Sequence, residues 1–138
     1  VDWIEFSPKA LSFGGAVVEV VAPRIAGAKA GDGTWIGAKH MIDGGPSVLF
    51  DAVALVLSEE GAALLCGEAA ARDFVADAFA HCKFIGFTTG AVALLEKAGV
   101  APDADEGLIP LEGVKAAAGF LAACRSLRLW TREGNVKL

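Results

Sequence analysis

The turn Phe87-Thr88-Thr89-Gly90-Ala91 is the first place where this chain could act on a ligand. It lies between a short apolar run and a helical one, and backbone N–H groups in such a turn can hold an anion. Thr88, Thr89 and Gly90 are therefore the candidate anion-binding residues, for a phosphate or a flavin phosphate. The competing reading is a threonine N-cap on a structural helix. His81-Cys82 sets an imidazole beside a thiol in sequence. Nucleophilic catalysis requires the two to face each other, whereas neighbours at a helix end point roughly 100° apart. Cys82 thus reads as a core thiol and His81 as a residue interacting with the C-terminal end of its helix. Cys66 follows the apolar run 62–65 and also reads as a packed thiol.

Two weaker constellations remain. Glu59 and Glu60 follow an apolar run that ends at Leu57. Paired acids at a strand end can serve as acid and base, but adjacent side chains diverge and no histidine is near in sequence, so a solvated loop is expected. His40 and Asp43 precede Gly44-Gly45. A metal needs three or four protein ligands, so His40 reads as a surface histidine. No GxGxxG follows the apolar run 16–22, and no GxxxxGK[ST] occurs anywhere. The residues alone thus nominate no catalytic group, no metal site and no cofactor site beyond the weak Thr88-Thr89-Gly90 turn.

Composition narrows the field further. The 138 residues suit one domain, 1–138, with 1–14 as an atypical N-terminal segment. Apolar residues make up 54% and charged residues 21%, which favours a packed core over disorder. The net charge of −5 argues against nucleic acid, which attracts a basic face. Arg125, Arg128, Arg132 and Lys137 are spread along the tail and read as a solvated segment. The central uncharged stretch 84–95 is too short to span a bilayer, so no membrane partner is expected. Asp2, Glu5 and Lys9 interrupt any signal-peptide core in 1–15. Three cysteines without CxxC spacing favour free thiols in a reducing, cytoplasmic setting.

The elements that would position these residues alternate. Valine-rich 16–22 reads as a central strand ended by Pro23. Residues 26–30 and 34–38 flank Gly31-Asp32-Gly33 as a small hairpin insertion near 26–38, followed by a loop over 39–46. A strand is expected at 52–57, an exit loop at 58–61 and one helical turn at 62–65. A helix over 68–81 carries Phe74, Val75, Ala78 and Phe79 at helical spacing. Then come a strand at 83–87, a helix over 90–98 closed by Gly99, a short extended piece at 108–109, a helix over 114–127 and a final extended piece at 129–131. Ser7 and Pro8 could open a short helix over 8–13. This alternation describes an α/β layered fold with a mainly parallel sheet, whose ligands bind beyond the carboxyl ends of the strands.

The runs Val18-Glu19-Val20-Val21-Ala22-Pro23, Asp32-Gly33-Thr34, Gly45-Pro46-Ser47, Phe50-Asp51-Ala52-Val53 and His81-Cys82-Lys83-Phe84-Ile85-Gly86 carry a resemblance. Over about residues 15–130 the chain resembles the C-terminal, flavodoxin-like domain of large-subunit haem catalases, a relative of PfpI-type and class I glutamine-amidotransferase folds. The resemblance implies a three-layer flavodoxin-like sandwich whose first strand is missing here. Two sheet edges would then lie open, to be covered by a partner chain, a swap or the rest of a longer protein. In PfpI-type relatives the turn after the strand carries a cysteine, then a histidine, then a glycine. Aligning that glycine with Gly90 puts Thr88 and Thr89 in their places, and neither can act as thiolate or base. The implied role is non-catalytic: stability, assembly of a homo-oligomeric (homotetrameric) haem enzyme that decomposes hydrogen peroxide, and chaperone-like shielding. Catalases hold haem through a tyrosine, and this chain has none, so haem would belong to the remainder of the parent chain. The alternatives are a free-standing PfpI-type cysteine hydrolase or glyoxalase using Cys66 or Cys82, and a small-molecule-binding module using the Thr88 turn.

Overall fold

A computed structural model describes residues 19–24, 26–29 and 33–136, apart from the side chain of Val114. The expected helix over 8–13 and the start of the 16–22 strand lie outside the described residues. Parallel strands β5 (Val53–Leu55), β6 (Ile85–Phe87) and β7 (Leu108–Pro110) form one sheet in that order, with Val53 opposite Ile85 and Ile85 opposite Leu108. Strand β1 (Val21–Ala22) pairs in parallel with β4 (His40–Met41). The hairpin strands β2 (Ala28–Lys29) and β3 (Trp35–Ile36) are antiparallel. Among the described residues β1 and β5 share no ladder.

Alternation along β5 and β6 sorts side chains between two layers of helix. Val53, Leu55, Ile85, Phe87 and Leu108 face one core with α1 (Glu59–Leu65), α2 (Ala69–Ala80) and α3 (Val92–Lys97). Ala52, Ala54, Val56, Phe84 and Ile109 face a second core with α4 (Val114–Cys124), where Leu111, Ala117 and Phe120 are buried. The result is the three-layer α/β sandwich expected. Val75, Ile85 and Leu95 are 0% exposed, and each such side chain stabilises the fold by roughly 1.5–3 kcal/mol. Val21, Ile42 and Phe50 lean on the first core, so the β1–β4 pair rides on the same packing.

Several boundaries differ from expectation. Residues 39–46 are not all loop, because His40–Met41 forms β4 against β1. The segment 58–61 is not an exit loop. Ser58 is the N-cap of α1, its Oγ accepting from the Gly61 N–H at 3.0 Å. Glu59 and Glu60 sit in the first turn, where the helix dipole favours acids. Residues 129–131 are not extended: Trp130–Asn135 is a 3-10 helix.

Two helix ends share one geometry and differ in the residue that makes it. At α3, Gly99 takes φ +84° and Val100 N–H donates to Leu95 O at 2.9 Å. At α2, Cys82 takes φ +60° and Lys83 N–H donates to Ala78 O at 3.0 Å. Both are left-handed caps, a conformation that suits glycine. Leu127, after α4, is also left-handed at φ +64° and is 55% exposed. A side chain there strains the backbone and recovers little burial in return. Leu127→Gly should therefore raise the unfolding free energy of the domain by about 0.5–1 kcal/mol. A denaturant midpoint that falls at unchanged slope would contradict this.

Candidate functional site

Strands β5 and β6 deliver Leu57-Ser58 and Thr88 to the carboxyl end of the sheet. The ladder between them ends with Thr88 N–H donating to Leu55 O at 3.0 Å. Beyond it the Thr88 side chain takes over. Its Oγ1 accepts from Leu57 N–H at 3.1 Å and donates to Leu57 O at 2.8 Å. Thr88 is 3% exposed, so the hydroxyl closes the end of the strand pair where water has little access. It stands at the N-cap of the 3-10 turn Thr89–Ala91, yet makes no capping bond with its side chain. Gly90 is buried with its Cα turned toward Leu57-Ser58-Glu59. A Cβ there would lie 2.5 Å from Leu57 O. Thr89 is exposed at the start of the turn. The structure thus gathers Thr88, Thr89 and Gly90 with Ser58 at one strand-end crevice.

The thiols lie elsewhere. Cys82 precedes β6 at the opposite, amino end of the sheet and is 3% exposed. Cys66 caps the C-terminus of α1 and its carbonyl accepts from Arg72 Nη1 at 3.2 Å. Cys124 ends α4, where burial pushes its thiol up to about 11. Neither Cys66 nor Cys82 occupies the turn after β6. His81 is exposed at the C-cap of α2, where its backbone N–H donates to Asp77 O at 2.9 Å.

His40 is not the free surface histidine expected. Its Nε2 lies 2.8 Å from Glu19 Oε2, and its ring meets Phe50 edge-on at 5.6 Å. Lys39 Nζ donates to the other Glu19 oxygen at 3.0 Å. Those bonds from Lys39 and then His40 hold the Glu19 carboxyl below its ordinary value. The trio links β1 to β4 and leaves Asp43 aside. Among the described residues no group of three His, Cys, Asp or Glu could hold a metal. A tyrosine-ligated haem does not fit this chain, which has no tyrosine. No described helix is long and apolar enough to cross a membrane.

The amino end of the sheet is the more heavily bonded one. Lys83, 1% exposed, donates through Nζ to the carbonyls of Ser47 and Phe50. Burial lowers its pKa, the Arg128 charge adds to that, and Asp51 opposes it. Arg132, also 1% exposed, is not a solvated tail residue. Its Nε and Nη2 grip Asp105 at 2.6 and 2.9 Å, and its Nη1 donates to Lys83 O at 2.8 Å and Phe79 O at 3.2 Å. Its guanidinium also lies 4.3 Å from the centre of the Phe79 ring. Sequence reading missed both residues.

No family model matches the chain. It is 54% identical over 123 residues to "Catalase C" of Rhizobium meliloti (strain 1021), covering 89% of this chain and 17% of that catalase. It is 32% identical over 124 residues to "Catalase-B" of Dictyostelium discoideum, covering 88% of this chain and 18% of the relative. The chain therefore spans less than a fifth of the length of these relatives. Among solved structures, Drosophila melanogaster DJ-1beta superposes with a TM-score of 0.70 at 18% identity, over 94% of this chain and 84% of that one. That likeness establishes the fold. With the sequence matches it makes the chain a member of the flavodoxin-like, C-terminal domain family of large-subunit catalases.

Proposed function

We propose that residues 1–138 form one non-catalytic domain of a longer, cytoplasmic catalase polypeptide. The remainder of that polypeptide binds haem and decomposes hydrogen peroxide, and this domain stabilises the chain and its homo-oligomer. The observation that carries the reading is 54% identity to a catalase across 89% of this chain, set against only 17% of the catalase. The strand-end crevice supports it. A hydroxyl already committed to Leu57 N–H and O is poorly placed to attack a substrate. The cysteine-hydrolase alternative lacks a thiol at that turn.

Expression of the whole reading frame tests the proposal. The product should show a haem Soret band and consume peroxide. Thr88→Val in that product should leave peroxide turnover unchanged while lowering the stability of this domain by about 1–2 kcal/mol, the value of a buried hydroxyl's bonds. Alkylation with a small reagent at mildly acidic pH should be slow at all three cysteines. A fast-reacting Cys66 or Cys82, or a haem-free product, would overturn the reading.

A further inference from the structure

We draw no further inference here: the strongest candidate, the buried side-chain cluster of Lys83 and the Ser47 hydroxyl at the amino end of the sheet, carries none, because Lys83 is bonded to the Ser47 and Phe50 carbonyls and nothing in the structure shows what would meet the hydroxyl, which has no partner among the described residues.

Discussion

Arg132→Ala is expected to lower the unfolding free energy by about 3–5 kcal/mol, the largest single effect predicted for this domain. The side chain is 1% exposed and makes four hydrogen bonds, two of them a fork onto Asp105. Its removal takes the fork from a carboxylate whose side chain is 18% exposed, leaving it the Gly107 N–H, and takes a donor from the carbonyls of Phe79 and Lys83. It also empties the space against the Phe79 ring. Arg132→Lys should recover only part of the loss, because one ammonium cannot reproduce the planar fork. Chemical denaturation at pH 7 measures both. A loss below about 1 kcal/mol, the range of an exposed ion pair, would mean the arginine is solvated after all.

The same pair sets an acid limit. The Arg132 side-chain bonds hold the Asp105 carboxyl below its ordinary value of 3.8, burial opposes them, and the Gly107 N–H assists. A carboxyl with a depressed folded-state pKa stabilises the fold fully above its unfolded pKa. That contribution is lost as pH falls through the folded value. The stability gap between wild type and Arg132→Ala should therefore stay constant from neutral pH down to about 4 and shrink below it. A gap that closed between pH 6 and 8 would point to another group.

What could be foreseen from sequence was local, and what could not was long-range. The alternation Ala52-Val53-Ala54-Leu55 and the apolar run Phe84-Ile85-Gly86-Phe87 announced buried strands, and both faces are covered. Gly99 announced its own helix end, but Cys82 adopts the same cap with no local signal. Strand β4 is two residues in a polar stretch and exists through its pairing with β1. Ser58 followed by two acids was a readable helix start that the expected loop overlooked. Arg132 could not be read, since its partners lie 27, 49 and 53 residues away. At the crevice the same division holds. The turn at Thr88 was visible as a break between strand and helix. The destination of its hydroxyl, 31 residues earlier at Leu57, depended on the sheet.

Gly90→Ala should cost about 3 kcal/mol, near the top of what overpacking one methyl group does to a core. The added Cβ would sit 2.5 Å from Leu57 O and 2.8 Å from both Ser58 C and Glu59 N. All three are backbone atoms at the end of β5 and the start of α1, so no side chain can swing aside. Relief requires α1 to retreat from the sheet, which opens the core around Ala62 and Leu65. Gly99→Ala supplies the contrast. Its Cβ meets nothing within 4 Å, and its φ of +84° confines the penalty to the backbone, roughly 1–2 kcal/mol. If the two substitutions cost the same, close approach is not what requires glycine at 90, and the turn after β6 is looser than the Thr88–Leu57 bonds imply. If Gly90→Ala costs clearly more, the turn after β6 is packed directly against the backbone of Leu57, Ser58 and Glu59, and the neighbouring Thr88 hydroxyl clamps strand β5 to strand β6.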